Sequence, residues 1–212
     1  LLVEDNLVNQ KLGVVLVEKL GHDVDSVVDG RQAFEAVQAK AYDVVLMDVQ
    51  MPVMNGIEAT MAIRELPGEV GNIAIIAMTA GTLDDEAEQC AQAGMNDFIA
   101  KPIDPKVLTG VLQKIGKVSD KIAVQISEVF SGQADHGLID HSVLEVLAKA
   151  LGQQKIRELI DVFVDDFEQR LIRIFDARTT KDISSLRREA HDLKGTTGNM
   201  GLMGLSELGA QI

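Results

Sequence analysis

The sequence is poor in aromatic residues and in cysteine. Of its 212 residues none is Trp, one is Tyr and six are Phe, so aliphatic side chains and Met must fill the interior. The single cysteine, Cys90, excludes a disulfide within the chain and is typical of a reducing compartment, and we expect it to pack in the core. Neither a signal peptide nor an apolar run long enough to span a bilayer is present. These absences favour a globular protein of the cytoplasm.

Positive charge is also scarce. Lys and Arg number 20 against 33 Asp and Glu, which gives a formal net charge of −13 at pH 7. Such a balance argues against nucleic acid or an anionic membrane surface as the main partner. Most of the excess acid lies in residues 1–116, so the two halves of the chain differ in electrostatic character.

Residues 1–116 alternate between short apolar runs and helical patterns. The apolar runs lie at 1–3, 24–28, 44–47, 73–78 and 98–99, and the helical stretches at 8–20, 32–39, 57–66, 84–93 and 105–115. Repeated strand–helix units predict a parallel sheet covered by helices on both faces, with right-handed crossovers. We therefore predict a doubly wound α/β domain with a five-stranded parallel sheet over 1–116.

The second half of the chain shows only helical periodicity. Residues 117–137 lose the strand pattern and are predicted to form a linker, which could still contain a short helix. From 138 onward four apolar stripes follow, and antiparallel helices joined by short turns predict an all-α helical bundle over 138–212. The stripes comprise Val143, Leu144 and Leu147; Ile156, Leu159, Ile160, Phe163, Phe167, Leu171 and Ile174; Ile183, Leu186, Ala190, Leu193 and Thr197; and Leu202, Leu205, Leu208 and Ile212.

Candidate site residues follow four of the five predicted strands. Glu4 and Asp5 come after the first strand, Asp48 after the third, Thr79 after the fourth and Lys101 after the fifth. In open α/β sheets ligands bind outside the carboxyl ends of the strands, so we expect these side chains to meet. Three adjacent carboxylates would repel one another unless a cation lay between them. A metal site for Mg²⁺, or Mn²⁺, on Glu4, Asp5 and Asp48 is therefore predicted.

This constellation suits phosphoryl transfer. The Asp48 carboxylate can attack phosphorus and form an acyl phosphate. The metal and the Lys101 ammonium would neutralise the charge on the transferred group, and the Thr79 hydroxyl would donate a hydrogen bond to it. The small side chain of Ala80 would leave an approach path. A phosphatase of the haloacid dehalogenase type is disfavoured, because such enzymes need an acid two residues beyond the nucleophile, where this chain has Gln50.

A second candidate site lies on the third helical stripe. At 100° per residue His191 points about 130° away from the mean direction of that stripe, hence away from the bundle core. Gly195 and Gly198 share its face, and since glycine inside a helix costs about 1 kcal/mol, we expect them to let a partner approach the imidazole. Lys194 and Arg187 lie nearby and could hold a phosphate. The alternative is an exposed helical histidine beside ordinary helix-terminal glycines.

The first half of the chain resembles the receiver domain of two-component response regulators and hybrid histidine kinases. The resemblance covers essentially all of 1–116 and rests on Leu2 to Asn6, Asp48 with Met51-Pro52 and Gly56, Met78 to Ala80, and Lys101-Pro102. It implies a flavodoxin-like fold in which Asp48 is the phosphoacceptor and Glu4 and Asp5 are metal ligands. The carbonyl of Gln50 would be a further ligand, and the Lys101–Pro102 peptide would be cis.

The same resemblance implies a conformational switch. Receivers often place an aromatic residue three positions before the lysine, where this chain has Phe98. Thr79 would move toward the phosphoryl group while the Phe98 ring turns inward. A core position for Phe98 on the fifth strand is the alternative.

The segment from His191 to Thr197 resembles the histidine-containing phosphotransfer (HPt) domain, with the resemblance covering 138–212. It implies that His191 carries a phosphoryl group as a phosphoramidate, on a face formed with Lys194, Gly195 and Gly198. Both ends of the sequence look cut, and a final helix is expected after Ile212. Without it the fourth stripe would be partly uncovered, which predicts a loose or self-associating bundle. The other histidines, His22, His136 and His141, lack metal-ligand spacing and are predicted to lie on the surface or in the linker.

Together these features predict the receiver and HPt part of a hybrid sensor histidine kinase, acting as a phosphorelay intermediate. Asp48 would accept a phosphoryl group from an upstream histidine kinase core and pass it to His191 for a downstream response regulator. The sequence shows no ATP-binding element, and both intrachain and interchain transfer fit it. The alternative is a phosphorylation-controlled binding module whose bundle is only an adaptor or dimerisation surface. The expected location is the cytoplasm, compatible with a membrane-anchored parent protein.

Overall fold

The first part of the chain folds around a parallel five-stranded sheet. The computed structural model describes residues 1–79, 84–115 and 138–211. The strands run in the order β2-β1-β3-β4-β5 and comprise β1 at Leu2–Val3, β2 at Ser26–Val27, β3 at Val44–Asp48, β4 at Ala74–Thr79 and β5 at Asp97–Ala100. The strand order reverses between β1 and β3, which confirms the predicted doubly wound topology.

Helices cover both faces of this sheet. They comprise α1 at Leu7–Lys19, α2 at Gly30–Ala39, α3 at Gly56–Arg64, α4 at Asp84–Ala93 and α5 at Pro105–Lys114, with a 3₁₀ turn at Val70–Asn72. The largest departure from the sequence pattern is β2, which has two residues instead of the expected five. This strand lies at the sheet edge, where Val28 is exposed and no second neighbour extends the pairing.

The strand register brings four carboxyl ends together. Leu2 pairs with Leu46 across β1 and β3, and Asp48 at the end of β3 pairs with Met78. Thr79 at the end of β4 pairs with Ala100. Residues that follow these strands therefore emerge at one edge of the sheet.

Side-chain caps fix where the helices begin beside this edge. The Asn6 carboxamide accepts hydrogen bonds from the backbone N–H groups of Val8 and Asn9, each at 3.0 Å, so α1 starts directly after the acidic pair. Asn55 and Glu58 form a reciprocal capping box at the start of α3. Asp104 caps α5, whose first residue is Pro105.

The described part of the second half is entirely helical, as predicted. It comprises α6 at His141–Leu151, α7 at Gln153–Thr180, α8 at Ile183–Asn199 and α9 at Met203–Gln211. Gly152 joins α6 to α7 with φ +80°, a conformation that favours glycine. None of the helices in the described ranges is long and apolar enough to cross a membrane. The predicted linker 117–137 and Ile212 lie outside the described residues.

The apolar stripes of the bundle are only partly buried. Leu159 and Phe163 of α7 and Leu193 of α8 lie in the core, as expected. Four members of the predicted stripes are exposed instead: Ile160, Leu171, Ile183 and Leu208. A buried arginine, Arg170, occupies part of the contact between α7 and α8. Leu202 and Leu205 are half-buried, so the fourth stripe is partly uncovered.

The bundle shares a core with one side of the sheet. Leu12 and Leu16 of α1 belong to the same buried cluster as Leu147, Phe163 and Met200 of the bundle. The opposite side of the sheet has a separate core beneath α2, α3 and α4. Helix α1 therefore lies between the sheet and the bundle, and the two halves pack against each other.

Candidate functional site

Three carboxylates meet at the carboxyl edge of the sheet, as predicted. Glu4 and Asp5 follow β1, and Asp48 ends β3. One oxygen from each of these side chains lies within 4.8 Å of the others. Glu4 and Asp48 are almost fully buried, with 1% and 2% of their surface exposed. Such a concentration of buried negative charge requires compensation.

Lys101 supplies part of that compensation. Its Nζ lies 2.6 Å from Asp48 Oδ2 and 2.7 Å from Glu4 Oε2. Its backbone N–H donates to the Thr79 carbonyl at 2.6 Å, which holds the end of β5 beside the end of β4. The Lys101–Pro102 peptide is cis, as the resemblance implied. Ala80, the expected approach path, lies outside the described residues.

Burial shifts the ionisation of this cluster. Burial raises the pKa of Asp48 well above its ordinary value, and Lys101 opposes the shift. Burial, with Asp192 and Glu4 nearby, raises the pKa of Asp5 to about 7. Burial alone would lower the pKa of Lys101, but the Asp48 and Glu4 carboxylates outweigh it and raise that pKa. Lys101 is therefore a permanent ammonium, whereas the carboxylates carry an electrostatic cost.

The three carboxylates also suit a hard divalent cation. Asp5 Oδ1 is buried and has no hydrogen-bond donor among the described residues, an arrangement that a bound cation would satisfy. A donor set made only of oxygen favours Mg²⁺ or Mn²⁺. Glu4, Asp5 and Asp48 thus fit the expected metal. The Gln50 carbonyl stays a predicted ligand, since the described contact of that residue is its backbone N–H, which donates to Asp48 Oδ1 at 3.2 Å.

Helix α8, which carries His191, lies over this site. A methyl group added at Gly195 would lie 3.5 Å from Lys101 Cδ, and one added at Gly198 would lie 3.2 Å from Pro102 Cγ. His191 is half-buried, and Lys194 is half-buried next to Gly195. The face that the sequence predicted to be open for a partner is therefore closed by the active-site edge of the same chain.

The residue after His191 belongs to a buried ionic cluster. Arg170 of α7 is 3% exposed, and its Nη1 lies 3.0 Å from Glu189 Oε2 and 3.2 Å from Asp192 Oδ2. Its Nη2 lies 3.2 Å from Asp166 Oδ2. Burial would lower the pKa of Arg170, but these three carboxylates raise it instead. The guanidinium thus fixes α8 against α7 at the turn that presents His191.

The comparisons with known proteins agree with this geometry. A model of the response regulator receiver domain matches residues 1–113. The chain belongs to the response regulator receiver domain family. A model of the Hpt domain matches residues 158–212. The predicted order of a receiver domain followed by an HPt domain is therefore confirmed.

One solved structure and two curated proteins illustrate the likeness. The solved structure is the receiver domain of a sensor histidine kinase from Pseudomonas aeruginosa, with a magnesium ion coordinated in its active site cleft. It is 44% identical to this chain, and the match has a TM-score of 0.50 and covers 54% of this chain and 94% of that one. The aerobic respiration control sensor protein ArcB of Escherichia coli (strain K12) is 29% identical over 100% of this chain and 27% of its own length. The sensor protein GacS of Pseudomonas syringae is 32% identical over 95% of this chain and 23% of its own length. The chain thus spans about a quarter of the length of these two sensor proteins.

The other residues considered in the sequence analysis differ in how deeply they are buried. Phe98 is 52% exposed on β5, so it is not a core residue, and the switch role stays a prediction. Cys90 is buried in the core, as expected. His141 is exposed and His22 half-buried, while His136 lies outside the described residues.

Sequence reasoning missed several residues that join the receiver to the HPt helices. Asn6, Asn9 and Asn199 make hydrogen bonds between the two halves, and Arg170 organises the carboxylates beside His191. A signal was present for two of them. Asn6 and Asn9 stand just after the acidic pair, near the carboxyl end of β1 and the start of α1.

Proposed function

We propose that this chain is a phosphorelay intermediate in which Asp48 accepts a phosphoryl group and His191 receives it from Asp48. The observation that supports this most is the position of α8, whose glycine face lies on Lys101 and Pro102 at the edge that carries Asp48. An upstream histidine kinase core would supply the phosphoryl group, and the receiver of a separate response regulator would take it from His191. Membership of the receiver family and the HPt match favour the same roles.

In the first step an Asp48 oxygen attacks the phosphorus of a donor phosphohistidine. The new P–O bond forms as the P–N bond breaks, and the electron pair returns to the donor imidazole ring. Lys101 holds an equatorial oxygen of the transferred group, and the Thr79 hydroxyl donates a hydrogen bond to another. A cation on Glu4, Asp5 and Asp48, with the Gln50 carbonyl as a further ligand, would supply charge neutralisation for those oxygens. Burial of Asp48 excludes water and protects the acyl phosphate from hydrolysis.

In the second step a ring nitrogen of neutral His191 attacks the same phosphorus. The P–N bond forms, the P–O bond to Asp48 breaks, and its electron pair restores the carboxylate. The ring keeps its proton on the other nitrogen, so the step needs no separate acid or base. Lys194, on the same side of α8, would balance the charge of the phosphoryl group on His191.

We also propose Thr79 and Phe98 as the switch pair of this receiver. Phe98 lies on β5 opposite Ala77 of the neighbouring β4, two residues before Thr79, and its ring is exposed. An inward rotation of that ring would accompany movement of Thr79 toward a phosphoryl group on Asp48. Residues 117–137 would serve as the linker between the domains at 1–116 and 138–212, in a cytoplasmic part of the parent protein.

The test compares the wild type with Asp48→Asn and His191→Gln after incubation with Mg²⁺ and labelled acetyl phosphate. We expect acid-labile label on His191 in the wild type, and loss of that label in Asp48→Asn. His191→Gln should keep base-labile label on Asp48. Base-labile label on Asp48 alone, in both the wild type and His191→Gln, would contradict the relay. That result would favour a binding module whose exposed apolar residues, such as Ile172 and Phe175, serve self-association or an adaptor contact.

A further inference from the structure

A directional chain of hydrogen bonds joins α8 to the receiver. Asn199, the last residue of α8, accepts from the backbone N–H of Ile103 at 2.9 Å through its Oδ1. Its Nδ2 donates to Asn9 Oδ1 at 2.9 Å, and Asn9 Nδ2 donates to Glu4 Oε1 at 3.1 Å. Asn199 and Asn9 are 4% and 3% exposed, so water cannot replace these partners.

The two ends of this chain fix the orientation of both carboxamides. The Ile103 N–H can only donate, so Asn199 must present its oxygen there and its NH₂ group to Asn9. At the other end Glu4 Oε1 accepts from Asn9 Nδ2, so Asn9 presents its NH₂ group there and its oxygen to Asn199. If either carboxamide were rotated by 180°, its NH₂ group would face another donor and its oxygen would face another acceptor. The contact is therefore specific in direction as well as in position.

Other contacts reinforce this docking. Asn6 Nδ2 donates to Asp166 Oδ2 of α7 at 3.1 Å, next to the Arg170 cluster. Leu12 and Leu16 of α1 share a buried cluster with apolar residues of α6 and α7. Polar and apolar contacts thus hold the HPt helices on α1 and on the segment after β5.

The docked arrangement also covers the phosphoacceptor. Asp48 is 2% exposed, Lys101 is 6% exposed, and the backbone of α8 at Gly195 lies against the Lys101 side chain. A second protein cannot reach Asp48 while α8 lies there, because both would occupy the same edge of the sheet. Docking should therefore favour transfer between Asp48 and His191 and oppose phosphorylation of Asp48 from outside.

We propose that Asn199 is a positioning residue that docks α8 on the receiver of its own chain through Asn9 and Ile103. Transfer between Asp48 and His191 is then intrachain, and the docked state closes Asp48 to external phosphodonors. This inference rests on the proposed function and names the partner of Asp48 within it.

Dilution and mixing test the intrachain part. With Mg²⁺ and acetyl phosphate, the first-order rate constant for appearance of label on His191 should be independent of chain concentration. A mixture of Asp48→Asn chains and His191→Gln chains can transfer only between molecules, and should label His191 more slowly, in proportion to concentration. A wild-type rate constant that rises with concentration to match the mixture would overturn intrachain transfer.

Asn199→Ala tests the positioning role through two rates that should change in opposite directions. Transfer from Asp48 to His191 should fall roughly tenfold, the effect expected from loss of buried hydrogen bonds. Labelling of Asp48 by acetyl phosphate, measured with His191→Gln in the background, should rise because the edge is uncovered more often. Asn72→Ala is the matched control, since Asn72 is exposed and bonds only within its own turn to the Gly68 carbonyl among the described contacts.

A second variant guards against a simple folding defect in α8. Asn6→Ser keeps a helix-capping oxygen for α1 but removes the bond to Asp166, and should shift both rates in the same directions by a smaller factor. Parallel decreases of both rates in Asn199→Ala and Asn6→Ser would overturn the positioning role. Absence of label on His191 in the wild type would instead overturn the proposed function together with this inference.

Discussion

Gly198 of α8 and Pro102 of the receiver are in such close contact that a methyl group at position 198 would lie 3.2 Å from Pro102 Cγ. The same methyl would lie 3.2 Å from Ser206 Oγ on α9, so it would be squeezed from two sides. At Gly195 the nearest contact would be Lys101 Cδ at 3.5 Å, an ordinary van der Waals distance. Of the two glycines on the histidine face, only Gly198 would place a methyl group closer to its neighbours than an ordinary van der Waals distance.

Gly198→Ala should therefore weaken docking, and Gly195→Ala should not. We expect Gly198→Ala to cost about 1–3 kcal/mol through overpacking, despite the better helix propensity of alanine. Gly195→Ala should be neutral or stabilising by up to about 1 kcal/mol. Urea unfolding and the rate of transfer from Asp48 to His191 measure the two effects. Equal behaviour of both variants would show that α8 does not occupy this position in solution.

Arg170→Met should destabilise the HPt helices strongly. The guanidinium is buried among Glu189, Asp192 and Asp166. Its removal takes away the described ion pair of Asp192 and leaves only the partly exposed Arg173 beside the other two carboxylates. Breaking a buried pair in this way costs about 3–5 kcal/mol. Thermal unfolding followed by circular dichroism measures the loss.

The matched control for that variant is Arg173→Met. Arg173 contacts the same Glu189, at 2.8 Å, but its own side chain is 45% exposed, and Arg170 still holds that carboxylate. The expected cost is about 1 kcal/mol or less. Similar losses for the two variants would mean that the buried position of Arg170 adds nothing to its ion pairs.

Lys101→Met should slow phosphorylation of Asp48. The ammonium lies 2.6 Å from Asp48 Oδ2, where it can hold an oxygen of the incoming group. Loss of one such stabilising group costs about a hundredfold or more in rate. Labelling by acetyl phosphate in Mg²⁺ measures it. Lys114→Met, which removes an exposed surface ion pair with Asp97, should leave the rate unchanged, and an equal decrease there would point to a nonspecific charge effect.

The acceptor site could be predicted because its residues are tied to strand ends. Glu4, Asp48, Thr79 and Lys101 each follow an apolar run, and parallel strands bring their carboxyl ends to one edge whatever the remaining sequence. The two-residue β2 was less predictable, because an apolar stretch at a sheet edge does not reveal how many of its residues pair.

The contacts between the domains could not be predicted in this way. Helical periodicity places a polar residue on a face but does not say which neighbour covers that face. The sequence pattern therefore assigned no role to Arg170 on α7 or to Asn199 at the end of α8. For His191 the glycine face predicted the approach of a partner, and only the packing of α1 against the bundle places the receiver of the same chain on that face.

Asp5 should make stability depend on pH in the direction opposite to that of an ordinary salt-bridged acid. Burial, Asp192 and Glu4 raise its pKa to about 7, against about 3.9 for an unfolded Asp. Between these values the folded state binds more protons than the unfolded state, so this group lowers stability as pH rises from about 4 to about 7. Without a divalent cation, Asp5→Asn should therefore be more stable than the wild type at pH 7.5 by about 1–3 kcal/mol, with little difference near pH 4.

Added Mg²⁺ should reverse that order. A cation that binds the ionised cluster of the folded state stabilises the wild type by mass action, and Asp5→Asn loses one of the three carboxylates that fit it. Urea unfolding at pH 4.5 and pH 7.5, with Mg²⁺ or with a chelator, gives four free energies of unfolding for each protein. A wild type that is already more stable than Asp5→Asn at pH 7.5 in chelator would mean that Asp5 is paired in the folded state rather than held at an electrostatic cost.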